Sequence, residues 1–335
     1  MTRHRAASPR LLGLGSALLD QLAHVPESFL ETVPGRKGGT ELVDFPTISG
    51  LLARLPQPPV RAPGGSAANT VVGAARLGLP AGMLAKIGAD ADGRFYRSSL
   101  EDAGVATSPF KTDPRIPTGR CLSLITPDSQ RTMRTYLGAA AHLSPDEITS
   151  ADFAEYSHLH LEGYQLFNRE LMTRILKTAK AAGCRISLDL SAPEVVMASR
   201  DILADLLHDY VAAVFANEDE ASVFADGRGE DAGLEALAAV CPLAVVKLGV
   251  RGSVIRCQGA TVKVPAHVVK ASDTTGAGDL WAAGFLYGWL NGADLATAGD
   301  FGARAAAAVV QVTGAVIPEA EWARLRRECT VASGA

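Results

Sequence analysis

Long hydrophobic runs are missing from this chain of 335 residues. No stretch approaches the ~20 apolar residues of a membrane-spanning helix, because Arg, Asp or Gly interrupts every candidate. Cysteine is scarce: Cys121, Cys184, Cys241, Cys257 and Cys329 are odd in number, far apart and free of any CxxC pair. That spacing argues against a disulfide framework and a cysteine zinc site, and it suits a reducing, cytoplasmic setting. A surplus of positive charge is absent too. The 32 Lys and Arg stand against 36 Asp and Glu, a formal net charge of −4, so no bulk electrostatic field draws nucleic acid.

What is plentiful is glycine, with 33 residues. At ~150 residues per domain the length corresponds to about two domains, or one large domain with an insertion. A hydrophobic content of 47% with 20% charged residues describes a folded chain. The basic start MTRHRAASPR leads only into a short apolar stretch that glycines interrupt and Asp20 stops. Residues 1–9 therefore read as a disordered tail and not a signal peptide, and the terminal VASGA reads the same way.

Apolar runs alternate with helical periodicity over most of the chain. Strands are expected at Leu11–Ala17, Ala81–Ile87, His158–Leu161, Arg185–Leu190, Val211–Ala216 and Leu243–Leu248. Helices are expected at Ser66–Leu77, Asp92–Ala103, Arg169–Ala182, Arg200–His208 and Leu234–Val240. Such alternation predicts a three-layer, doubly wound α/β fold around a mostly parallel sheet. Continuous apolar strands such as AAVFAN and LAVVKLG fit burial on both faces. Two regions break the pattern. Arg120–Thr126 and Thr132–Leu137 read as a hairpin around Pro127–Gln130, and residues 21–61 carry short extended pieces with Gly and Pro, ending in the linker-like PQPPVRAP. Together the inserts, about 18–62 and 115–138, predict a small β-sheet lid on one body spanning residues 10–330. A β-lid exposes strand edges, which a homodimer through the lid would cover.

The string Asp273-Thr274-Thr275-Gly276-Ala277-Gly278-Asp279 precedes a helix of small residues. A glycine turn feeding a helix leaves free N–H groups that, with the helix dipole, favour a phosphate. Asp279 in the first turn is placed to take a proton from a hydroxyl that attacks phosphorus, or merely to stabilise the dipole. Gly64-Gly65-Ser66-Ala67-Ala68-Asn69 opens another helix. It reads as a close approach for a polyhydroxy ligand with Asn69 as donor and acceptor, or as a simple cap by Ser66. Asn217-Glu218-Asp219-Glu220 follows a strand and reads either as a metal-organising element or as an acidic helix start.

GGSAANTVVGAARLG and DTTGAGD resemble the two signatures of the ribokinase-like (PfkB) carbohydrate and nucleoside kinases. Between them, in order, lie family-like KIGADADGRFYRSSLEDAGV, TGRCLSLITPDSQRTMRTYLGAA, NEDE and VVKLGVRGS, so the likeness runs from about Leu11 to Gly314. It implies ATP-dependent phosphorylation of a hydroxymethyl group on a sugar or nucleoside, with Mg2+. Asp279 would be the base, and the amides of Gly276, Ala277 and Gly278 the anion hole. Asn217 and Glu220 would organise Mg2+, partly through water. Lys247, Gly249 and Gly252, with Asn217, Gly276 and Gly278, would meet ATP. Ser16, Asp20, Gly64, Gly65, Asn69 and Tyr164 would line the acceptor pocket, under lid residues Thr40, Cys121, Met133 and Thr135.

Asp273 and Thr275, with carbonyls near Val309, Val312 and Gly314, resemble a monovalent-cation (K+) site, although Pro318 stands where some relatives carry a hydroxyl. GSALLDQLAHVPESFL, RKGGTELVD and QRTMRTYLGAA look closest to the adenosine-kinase-like branch. Ser16, where relatives with nucleoside substrates often have Asn, pulls toward sugars, and Arg120, Arg131 and Arg134 on the hairpin hint at an acidic acceptor. A reading from another class is a sugar-sensing protein on the same fold without turnover. The presence of Asp279 and the glycines weighs against it.

Overall fold

The computed structural model describes residues 8–128 and 130–331. The tail placed at residues 1–9 lies almost wholly outside them, as do Ser129 at the hairpin tip and residues 332–335 of VASGA.

The main sheet has nine strands in the order Ala260–Val264, Ser253–Cys257, Leu243–Lys247, Ala213–Asn217, Arg185–Asp189, His158–Glu162, Leu11–Leu14, Ala81–Leu84 and Val105–Ala106. All pairings are parallel except the terminal hairpin formed by the first three. Alternate side chains of the apolar strands enter different cores, as the pleat requires. Val214, Ala216, Ala244 and Val246 pack with the helices Arg169–Ala181, Arg200–Tyr210 and Glu230–Val240. Ala213, Phe215, Leu243 and Val245 pack on the other face with Ser66–Leu77 and Ala277–Leu290. The doubly wound sheet expected from the alternation is therefore present.

Two expected strands end early. The run Ala81–Ile87 divides, because Lys86–Gly88 leaves the main sheet to pair with Lys111–Asp113. The run Leu11–Ala17 stops at Leu14; the chain turns through Gly15, Ser16 and Ala17 and enters a second sheet as Leu18–His24.

That second sheet has the order Thr40–Leu42, Arg131–Tyr136, Gly119–Ile125, Leu18–His24, Val60–Gly64. The linker-like PQPPVRAP thus supplies an edge strand, where Pro63 lacks only a donor that no second neighbour needs. One face of the sheet is apolar: Ala23, Leu122 and Leu124 pack against Ile48 and Leu51 of the helix Phe45–Ala53. By register the opposite face carries Asp20, Cys121 and Thr135 side by side, then Met133 and Arg131 along the same strand.

Candidate active site

Parallel strands bring their carboxyl ends to one side, where α/β folds place ligands. Here each central strand ends on a polar residue. Glu162 pairs in register with Asp189, and Asn217 with Lys247, the second pair two residues further along because Asp189 lies opposite Phe215, so four functional groups gather at one edge. The Lys247 ammonium lies 2.7 Å from the Asp189 carboxylate. Burial alone would lower its pKa; the Asp189 and Glu220 carboxylates outweigh that and hold it above the usual range. Gly278 leaves room for this ammonium, which would lie 3.1 Å from any Cβ there.

Asp279 occupies the first turn of Ala277–Leu290, whose N-cap Gly276 has φ +75°, a left-handed value that glycine adopts without strain. One carboxylate oxygen accepts from Ser66 Oγ at 2.7 Å and the other from Asn69 Nδ2 at 2.8 Å. Burial pushes the Asp279 carboxyl up, while the bonds from Asn69 and Ser66 pull it back. The two helices meet through matched small residues. Four positions beyond Asn69, a Cβ on Gly73 would stand 2.7 Å from that of Ala283, itself four positions beyond Asp279. The Ala277 amide donates to the Thr274 carbonyl at 3.2 Å, a turn closure that competes with its expected place in an anion hole.

Where the chain crosses between the two sheets, the backbones touch. A Cβ on Gly65, at φ +99°, would lie 2.3 Å from the Ser16 carbonyl, and one on Gly64 2.4 Å from the Asp20 carboxyl. Asp20 is thereby held against Gly64, facing Asp279 from the lid side. Burial and the Asp279 charge push its carboxyl up to about 7, with Arg131 pulling the other way. Burial also pushes the Cys121 thiol up to about 12, and Thr135 donates to its sulfur.

Glu162 was missed by sequence reasoning. It is buried, accepts the Ser16 amide at 2.6 Å and the Ala67 amide at 3.3 Å, and is bonded by Gln165 at 3.2 Å. Asp189 was missed as well. A usable signal existed in HLHLE and RISLD, where a charged residue ends an apolar strand, as Asn217 ends AVFAN and Lys247 ends LAVVK.

A cavity of about 640 Å3 opens from these groups. Its lining combines polar groups, Ser66, Asp279, Lys247 and Asn217, with apolar ones such as Val268 and Val310. Tyr164, half exposed, lines this cavity with Ser66 and Asp279, and burial pushes its phenol up to about 12. Gly249 and Gly252 also border it. Gly252 has a structural reason of its own, since a Cβ there would meet the Val264 carbonyl at 2.1 Å. Thr40 is exposed on the edge strand of the lid, in register with Met133.

Asn217 and Glu220 bond to each other as a capping box, with both Glu220 oxygens accepting from Asn217 at 2.8 and 2.9 Å. Burial and the Asp189 charge push Glu220 up to about 7, a carboxyl whose ionised form a nearby cation would favour. Among the described residues no three acidic, His or Cys groups stand close enough to hold a bare ion. The set fits Mg2+ that keeps its waters and is held mainly by nucleotide phosphates.

The hairpin arginines divide by pleat. Arg134 is buried on the apolar side and donates to the carbonyls of Pro34, Gly39, Met133 and Arg36. Arg120 pairs with Asp92 at 2.8 Å and lies over the Phe45 ring. Neither reaches the pocket, which corrects the expectation of three cations for an acidic acceptor. Arg131 alone faces inward, where it bonds Asp273 and Thr275.

A profile of the pfkB family of carbohydrate kinases matches residues 50–322. The chain belongs to this family. It is 32% identical to adenosine kinase of Saccharomyces cerevisiae over 92% of its own length and 96% of that protein. It is 33% identical to 5-dehydro-2-deoxygluconokinase of Shouchella clausii over 74% of its length and 80% of that enzyme. In structure it is similar to adenosine kinase from Sinorhizobium meliloti (TM-score 0.85, 33% identity, covering 97% of this chain and 100% of that one). A probable sugar kinase from Rhizobium etli gives the same TM-score at 30% identity, covering 96% and 99%. As a pfkB kinase the protein is a phosphotransferase with an alcohol acceptor, of a family that works with ATP and Mg2+. Among the described residues no helix is long and apolar enough to cross a membrane.

Proposed function

We propose that this kinase transfers the γ-phosphoryl of ATP to a hydroxymethyl group of a sugar or nucleoside held between Asp20 and Asp279. One observation carries the reading: Asp279 stands at a helix N-terminus, oriented by Ser66 and Asn69, at the junction of the lid face and the 640 Å3 cavity. The acceptor proton passes to Asp279 as its oxygen bonds to phosphorus and the bond to the β-phosphate oxygen breaks, releasing ADP. Lys247 and the amides of Gly276 and Gly278 face the developing charge, a role that rests on fixed geometry. Asn217 and Glu220 would steady through water an Mg2+ carried by ATP, which would supply further charge neutralisation. Val268 and Val310 in the cavity lining suit a purine.

Adenosine is the second reading for the acceptor, favoured by the near full-length likeness to two adenosine kinases. A homodimer through the lid would have to use the short edges at Thr40–Leu42 and Val60–Gly64, since the chain's own helix covers the apolar lid face.

An ADP-release assay over nucleosides, ketoses, aldoses and sugar acids tests the proposal. One acceptor class should stimulate turnover, and Asp279→Asn should lose at least ~10²-fold in kcat while keeping its melting profile. Bound ligand without turnover for any acceptor would leave the sugar-sensing reading in its place.

A further inference from the structure

The family likeness assigns Asp273, Thr275 and the carbonyls near Val309, Val312 and Gly314 to a monovalent metal ion. The residues present do not fit one. One Asp273 oxygen accepts the Thr275 amide at 2.9 Å; the other accepts the Gly314 amide at 2.6 Å and the Arg131 guanidinium. The second arm of that guanidinium bonds the Thr275 hydroxyl. Both partners are enclosed, with side-chain exposures of 19% for Arg131 and 7% for Asp273. Pro318 offers no hydroxyl. A metal ion placed here would lose the side-chain oxygens already engaged and would sit against a fixed positive charge.

We propose that Arg131 is the resident cation of this loop, so that the lid supplies the charge that a monovalent metal ion would otherwise bring. Asp273 anchors the turn that leads through Gly276 into the helix bearing Asp279. An unbalanced Asp273 carboxylate would repel an incoming phosphoryl group; the guanidinium balances it and ties the turn to the lid. Arg131 sits on the strand that also carries Met133 and Thr135, beside the pocket face with Asp20 and Cys121. Lid position and anion-loop order are thereby one variable. Arg131 is a positioning residue, and the inference rests on the kinase reading only for its effect on rate.

The test compares KCl, NaCl and choline chloride at equal ionic strength. Wild-type protein should show the same melting temperature in all three within ~1 °C, and the same kcat within about twofold. Arg131→Ala should lose at least ~10-fold in kcat. Millimolar guanidinium or K+ should restore part of that rate, K+ should raise the variant's melting temperature, and Arg131→Lys should fall between. A K+-dependent rise in the wild-type melting temperature overturns the inference, whatever the protein phosphorylates. So does an Arg131→Ala variant with full rate and no cation response. Should that variant not fold, the wild-type salts and Arg131→Lys still decide. Absent turnover with every acceptor, alongside a cation-indifferent melt, would overturn the kinase reading alone.

Discussion

Asp20 faces Asp279 across the pocket, and the Asp279 charge makes Asp20 harder to ionise. The pKa of Asp20, raised by burial and by Asp279 from 3.8 to about 7, means that the folded protein holds a proton there that the unfolded chain releases. The associated stability is complete below pH ~4 and lost as pH rises through 7. Asp20→Asn keeps a neutral group at all pH values. Its melting temperature minus that of wild type should therefore grow from pH 4 to 7, by several °C, and level off above. Scanning calorimetry of the two proteins across that range checks it, and taking the difference cancels the buried histidines. His158 and His160 share Ser187 Oγ at 2.9 Å each, and burial holds both below the ordinary range, so they lose stability in the opposite direction, on acidification. At this scale DTTGAGD and GGSAAN were legible because chemistry clusters in contiguous strings. Glu162 and Asp189 were not, since a single acid at the end of an apolar run has no sequence neighbour to mark it.

Between elements, the decisive contact is the crossing of Ser66–Leu77 with Ala277–Leu290. The second helix is apolar or small nearly all round, as a helix enclosed on every side must be. Gly73 lets the backbones approach until Asn69 and Ser66 reach Asp279. Gly73→Ala would place a methyl 2.7 Å from the Ala283 and Leu280 carbons. Overpacking of this kind costs about 1–3 kcal/mol, and the helix shift should lower kcat by drawing Asn69 off Asp279. Urea denaturation with steady-state kinetics measures both. Adding Ala283→Gly removes one of the two contacts and should recover part of the rate, a coupling that contacting residues show and distant ones do not. The helices themselves were visible as periodicity in the sequence. Their approach was not, because a glycine that admits a neighbour reads like one that makes a turn.

For the whole molecule, the body and the small sheet meet around four chain crossings, at residues 15–17, 64–66, 114–118 and 137–138, and the site lies among the first two. The helix Phe45–Ala53 covers the apolar side of the small sheet, leaving only a three-residue and a five-residue edge for another copy. The chain should therefore sediment as a 34.9 kDa monomer at micromolar concentration. A dimer that Leu42→Lys or Val60→Lys dissociates would show that those edges pair after all. The sequence pattern could announce a lid of strands, since short extended pieces interrupt the helical rhythm. It could not announce what covers each face.

By itself the sequence determined the order of strands and helices, the two glycine signatures, the family and hence the class of reaction. These are local or contiguous properties, written in periodicity and in strings of residues. Tertiary structure decided which arginine faces the pocket, that Glu162, Asp189, Asn217 and Lys247 gather at the carboxyl ends of four adjacent strands, and that Asp273 already has a partner. Each depends on pleat, register or a chain crossing, which brings residues 58 positions apart into contact in Asp189 and Lys247, and 142 apart in Arg131 and Asp273.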